Sequence, residues 1–183
     1  MSPERQRPGT GDGDAELIEF GELTPADRAE LEGDESDPFD AAGETLRFRP
    51  KERHVALRDD RGRLIASAGL TLSEVEVGDA RFPIVGLGGV IVNAGYRGRG
   101  LARAVVDAAL ERARTMGPEF MVLFCHLDRV GLYRRLGFAL LDEPVLVRQP
   151  HGFERITQRT MWQALRPGAR WPDGAPVIHT LPF

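Results

Sequence analysis

The sequence predicts an α+β domain with a mixed central sheet flanked by helices on both faces. Two observations carry the prediction. Runs of β-branched, aromatic and other apolar residues recur at 54–57, 64–77, 82–92 and 120–125, bounded by turn signals. A stretch with helical periodicity, 100–116, separates the third run from the fourth, and another helical stretch follows at 128–136. Strands therefore follow one another directly in the first half and alternate with helices in the second, which is the order of a mixed sheet.

Residues 1–14 are rich in Gly, Pro and charge and read as a disordered tail, leaving 15–183 as the folded domain. Ala15 to Phe20 forms a first strand. Thr24 followed by Pro25 is an N-cap plus N1 signal, so a short helix runs from Pro25 to about Glu32. Gly33 to Asp40, with Asp34, Glu35, Asp37 and Asp40, is an acidic loop or a broken second helix. His54–Leu57 and Leu64–Val77 read as antiparallel strands joined at Asp59-Asp60-Arg61-Gly62, and Gly78-Asp79 turns the chain into Phe82–Val92. That strand is nearly all apolar yet holds Gly86, Gly88 and Gly89, the pattern of a buried central strand with a bulge or a close backbone neighbour. In Gly100 to Met116, Leu101, Val105 and Ala108 share a helix face, and Gly117-Pro118 stops it. Phe120 to Cys125 is a strand, and Asp128 is expected to cap a helix running through Leu136 to Gly137. Two last strands are placed around Val145–Arg148 and Arg155–Met161.

With 183 residues and 42% hydrophobic content the chain can bury one full core. The single Cys125 makes no internal disulfide, and four scattered histidines lack metal-ligand spacing, so no metal is expected. The opening MSPERQRPGTGDGD has no apolar signal region, and no stretch approaches the ~20 apolar residues of a membrane span. A soluble, cytoplasmic protein without a membrane partner is expected. The net charge of −4 conceals an asymmetry: residues 1–45 hold 14 acidic and 3 basic side chains, whereas 46–183 hold 14 acidic and 21 basic. A basic body suits an anionic ligand, but no basic run interleaved with aromatics occurs, and nucleic acid is not expected as a partner. Lysine is nearly absent, and the lone Lys51 reads as compositional bias.

Val90 to Ala102 reads as a strand, a glycine-rich turn and a helix start in succession. The first amides of a helix have no intrahelical acceptor and carry the positive end of the helix dipole, so a pyrophosphate can dock there. Gly98 and Gly100 let the backbone approach an anion, and Arg97 and Arg99 add full charge beside the amides. The chain has no GxxxxGK[ST], and Gly86-Leu87-Gly88-Gly89 lacks the third glycine of a dinucleotide fingerprint. What remains, Arg97-x-x-Gly100-x-Ala102, resembles the acyl-CoA-binding motif [QR]-x-x-G-x-[GA] of the GNAT superfamily of N-acetyltransferases. Leu132-Tyr133-Arg134-Arg135-Leu136-Gly137-Phe138 is similar to that family's later LYxxxGF segment. The resemblance covers about residues 15–165. Trp171-Pro172-Asp173-Gly174 and Leu181-Pro182-Phe183 are in addition similar to the tails of aminoglycoside 2'-N-acetyltransferase-like and nodulation N-acyltransferase-like members, which would bring the end of the chain near the acceptor.

The resemblance implies an acetyl-CoA-dependent N-acetyltransferase acting directly on the primary amine of a small, cationic acceptor. In it Val90, Ile91 and Val92 pair with the pantetheine arm and polarise the thioester carbonyl, while Arg97, Gly98, Arg99, Gly100, Leu101 and Ala102 cradle the pyrophosphate. Tyr133 takes the place of the general acid that protonates the leaving thiolate, or is a core aromatic with its hydroxyl at the edge. Many members carry a Glu on the central strand, but 82–92 contains no carboxylate. Glu74, Glu76 and His126 are the candidate bases, against plain roles as solvent-face charges and a polar residue at a strand end. Cys125 offers a ping-pong route through an acyl-thioester, set against simple packing. The acidic segment 30–40 suits a cationic acceptor or is a solvated loop. A homodimer stays possible. The alternative to an enzyme is a non-catalytic acyl-CoA-binding regulatory module on the same fold.

Overall fold

The computed structural model describes residues 15–183; the tail expected over 1–14 lies outside the described residues. Strand β1 (Glu16–Phe20) leads into α1 (Pro25–Glu32), whose start is the expected one. The Thr24 hydroxyl accepts from Asp27 N at 3.2 Å while the Asp27 carboxylate accepts from Thr24 N at 2.9 Å, a reciprocal cap that also holds the Asp27 carboxyl below its usual range. Strands β2 (Arg53–Arg58), β3 (Leu64–Val77) and β4 (Ala80–Val92) follow as an antiparallel set, and α2 (Leu101–Arg114) carries the chain over to β5 (Phe120–Cys125), parallel to β4. A short helix α3 (Val130–Arg135) precedes β6 (Ala139–Leu141), β7 (Leu146–Gln149), β8 (Gly152–Arg155), β9 (Arg159–Ala164) and β10 (Pro176–Ile178).

All ten strands join one mixed sheet in which β3, β4 and β5 are central, β9 and β6 extend it beyond β5, and β10, β7 and β8 extend it beyond the far half of β3. The near half of β3 pairs instead with β2, and β2 with β1. Helices cover both faces because β2 alternates: Val55 and Leu57 pack in the core that α2 closes with Val105, Val106, Ala109 and Leu110, whereas Ala56 packs with Leu31 of α1. A second core on the α1 face gathers Val75, Val77, Ile84, Phe120, Val122 and Phe183.

Three expectations are corrected. Asp128 caps no helix: it sits inside a 3₁₀ turn, Leu127–Arg129, and α3 starts without a side-chain cap because it continues directly from that turn. The run 155–161 is two strands, broken at Ile156–Gln158, since β8 turns back on β7 while β9 pairs with β5 on the opposite side of the sheet. Strands β6 and β10, three residues each, were not expected at all.

Candidate active site

The site begins where two central strands part. Strands β4 and β5 pair over Val85–Leu87 and Met121–Leu123 only, after which each runs on without the other. The cause is an extra residue in β4. Gly69 pairs with Gly88 but Ser67 pairs with Ile91, so β4 spends three residues where β3 spends two, and Gly89 absorbs the excess at φ +58°. Beyond the bulge Ile91 and Val92 stay on β3, and Val90–Val92 turn their other edge toward the gap, leaving main-chain groups there for an extended ligand.

At the end of this strand the chain turns into α2. Asn93 folds the turn by accepting from Gly95 N at 3.0 Å and donating to Glu30 O at 2.7 Å, and the Tyr96 hydroxyl donates to Asp59 at 2.8 Å. Gly98 and Gly100 lie in the left-handed region, φ +78° and +75°, with open space where a side chain would stand. No side chain caps α2, and its first internal bond is Ala104 N to Gly100 O at 3.1 Å. The amides of Leu101, Ala102 and Arg103 therefore start the helix without intrahelical acceptors, at its positive end. Arg99 lies over the Tyr96 ring, its guanidinium carbon 5.2 Å from the centroid.

Residues 33–141 match the family described as acetyltransferase (GNAT) domain, more than half of the chain. The chain belongs to the GNAT family. Two curated relatives, from Pseudomonas aeruginosa and Pseudomonas paraeruginosa, are L-methionine sulfoximine/L-methionine sulfone acetyltransferases, each 35% identical over 99 residues that cover 49% of this chain and 57% of the relative. The match thus spans little more than half of those proteins. Among solved structures, a GNAT-family N-acetyltransferase from Escherichia coli in complex with CoA shares the fold at a TM-score of 0.57 and 22% identity, over 93% of this chain and 94% of that one. A GNAT-family acetyltransferase from Brucella melitensis in complex with acetyl-CoA does so at 0.54 and 20%, over 89% and 96%.

The remaining candidate residues of this GNAT chain divide by position. Arg97 does not stand free beside the amides: it pairs with both Glu35 oxygens, one at 3.1 Å, and its Nε donates to Val92 O at 3.2 Å. Two further carboxylates of the acidic segment are engaged as well. Asp37 accepts from Ala41 N and Ala42 N at 2.8 and 2.9 Å and so braces the loop between α1 and β2, while Glu30 of α1 accepts from Leu64 N at 2.9 Å and ties that helix to the start of β3.

Tyr133 is buried against α2, edge-on to Phe138, and burial pushes its phenol above the ordinary value, so it is fully protonated at neutral pH. Cys125 sits 3.9 Å from the Met161 sulfur, and burial raises its thiol to about 11. A thiol held there is not a thiolate at pH 7, which removes the reactivity a ping-pong route needs. Glu74 pairs with Arg81, and Glu76 lies 3.0 Å from His179 Nε2. Glu74 stands opposite Pro83 on β4, five residues along β3 from Gly69, about 16 Å from the bulge at strand rise. The structure does not bring it to the site. His126 ends β5 on the parted side and lines an open cavity of about 280 Å³ with Glu44, Leu127, Thr157, Gln158 and Arg159.

Two features meet at the bulge, of which the tail resemblance hinted at the first and nothing in the sequence at the second. The final segment folds back over the sheet, Arg49 N donating to Pro182 O at 2.8 Å, and the Phe183 ring lies on Gly86 and stacks on Phe124 at 5.0 Å. Lys51 runs over Gly69 and Gly88, where added Cβ atoms would meet its Cγ at 2.4 Å and its Cε at 2.7 Å. The glycines of β4 were legible; Gly69 of β3 and the packing above all of them were not.

Proposed function

We propose that this chain transfers an acetyl group from acetyl-CoA directly to the primary amine of a small acceptor. One observation carries the reading: a bulge-driven gap between two parallel central strands leads straight to an uncapped helix N-terminus framed by two left-handed glycines. A long ligand with an extended amide-bearing arm and a pyrophosphate matches both halves of that shape. Bound there, acetyl-CoA supplies the activated acyl group as a thioester. The edge of Val90, Ile91 and Val92 holds the arm, and one of these amides, fixed in place by β3, polarises the carbonyl. Gly98 to Ala102 hold the pyrophosphate through main-chain N–H groups, with Arg99 beside them. Tyr133, protonated, donates to the departing sulfur.

The acceptor enters from the His126 cavity. Its rim offers a carboxylate (Glu44), an imidazole (His126) and a guanidinium (Arg159), a set that suits an amine bearing an anionic group better than a polycation. The Pseudomonas relatives are named for amino-acid analogues, which are acceptors of that kind. The aminoglycoside-like tail and the acidic loop favour a cationic amine instead, but three of that segment's carboxylates are already engaged, Glu30 with Leu64 N, Glu35 with Arg97 and Asp37 with Ala41 N and Ala42 N.

Free-thiol release should be followed with acetyl-CoA against methionine sulfoximine, amino acids, polyamines and aminoglycosides. Release is expected with amino-acid-type acceptors. Binding of acetyl-CoA without release for any acceptor would favour a non-catalytic acyl-CoA-binding module.

A further inference from the structure

The chain's one lysine is threaded to the point where β4 bulges. Three glycines make its path: a Cβ at Gly69 or Gly88 would collide with the Lys51 stem, and one at Gly89 would stand 3.8 Å from its Cε. The residues flanking Gly69 on the same face of β3, Ser67 and Thr71, are fully buried, and their hydroxyls have no hydrogen-bond partner. Unmade hydrogen bonds of that kind are costly, and two of them on the face of β3 that Lys51 crosses mark it as a place for a polar group from outside the chain. The Lys51 ammonium itself makes one long bond, 3.3 Å to Arg49 O, and no ion pair among the described residues; the Phe183 carboxyl carbon stands over Gly88 beside the Lys51 Cε, where a Cβ at Gly88 would meet the two at 2.6 and 2.7 Å.

We propose that Lys51 is itself an acyl acceptor, modified by the acyl donor that binds in the β4–β5 gap. The inference rests on the acyl-donor reading above. Gly88 and Gly89 immediately precede Val90, the first residue of the edge assigned to the arm, so the end of the lysine stem, its Cε, stands at the acyl end of the gap. The Nζ lone pair attacks the thioester carbonyl carbon, a C–N bond forms and the C–S bond breaks. The proton lost from nitrogen leaves with the sulfur as free thiol, and Lys51 carries an acetamide. An amide does not pass its acyl group on, so this is a modification and not a step of turnover.

The surroundings favour the free amine. Burial, Arg28 of α1 and Arg49 of its own segment all disfavour the ammonium, and His54 of β2, across from Gly69, is buried and held below its ordinary value. The Lys51 amine is lowered to about 8, which leaves about a quarter of it unprotonated at pH 7.5.

The test is intact mass and peptide mapping of the full chain incubated with acetyl-CoA and no acceptor, with calorimetric binding of acetyl-CoA on the same sample. One acetyl group per chain on Lys51 is expected, gained at least about tenfold faster by the folded chain than by the chain in urea, since only the fold holds amine and thioester together. The Lys51→Arg chain, which keeps stem and charge, should gain none. Equal uptake by folded and unfolded chain, undiminished uptake by Lys51→Arg, or no uptake by a chain that binds acetyl-CoA would overturn the inference. Failure to bind acetyl-CoA would overturn the acyl-donor reading and this inference with it.

Discussion

Tyr133 has a hydroxyl that burial keeps protonated well beyond neutral pH, and its assignment as the general acid rests on the LYxxxGF resemblance. Tyr133→Phe keeps the ring and its contact with Phe138 while removing the proton. We expect kcat to fall about 100-fold with acetyl-CoA affinity unchanged, checked by initial rates and calorimetry; unchanged turnover would make Tyr133 a packing residue. Lys51 shows the reverse case, a residue whose setting was invisible in sequence. A single lysine in a loop has no periodicity, and its burial depends on glycines 18 and 37 positions away, Gly69 and Gly88, that meet only when β3 pairs with β4. Its lowered value has a consequence for stability. Between about pH 8 and 10.5 the unfolded chain holds a proton on Lys51 that the folded chain has lost, so this group stabilises the fold progressively as pH rises through that window. Cys125, raised to about 11, and Tyr133 act in the opposite sense. The comparison is therefore with Lys51→Met: in urea unfolding at pH 8 and pH 10, wild type should gain stability relative to the variant, and parallel curves would refute the shift.

At the scale of elements, the bulge of β4 and the start of α2 were legible because both depend on local glycine chemistry: Gly86, Gly88 and Gly89 in an apolar strand, Gly98 and Gly100 before a helical run. Strands β6 and β10 were not, because three residues carry no measurable alternation and their pairing is decided by β9 and β3. The break at 156–158 was hidden for a related reason. An apolar-polar run reads as one strand, yet its two ends belong to different neighbours. Gly100→Ala tests the element that matters most. Its Cβ meets nothing within 4 Å, so the stability loss comes from the positive φ alone, about 1–2 kcal/mol. The methyl group would stand where an anion approaches the α2 amides, and acetyl-CoA affinity should fall about tenfold or more by calorimetry. A drop in thermal stability with affinity intact would show that this helix start binds no phosphate.

On the scale of the whole molecule, the sheet does two jobs at its opposite ends. The far half of β3 is extended by β10, β7 and β8, while the near end of β4 is left to part from β5. The closing segment joins the two: Thr180 is bonded to Ser73 at 2.8 Å and through its carbonyl to Arg148, and Phe183 is delivered onto Gly86 beside the gap. The tail resemblance hinted at this return, though no local pattern in 165–183 fixes where it lands. Gly86→Ala would place a Cβ 2.4 Å from the Phe183 ring. We expect a loss of about 1–3 kcal/mol in stability and a raised KM for the acceptor, with acetyl-CoA affinity little changed. Equal losses for both ligands would mean the segment supports the sheet as a whole and not the acceptor side.

The central claim is that the parted strands and the uncapped helix form one acyl-CoA site. Calorimetric titration of acetyl-CoA into wild type and into Gly100→Ala, each shown to be folded, tests it most directly. The account expects stoichiometric binding to wild type and a clear loss of affinity in the variant. No heat of binding with wild type, or identical affinity for the two proteins, would contradict it.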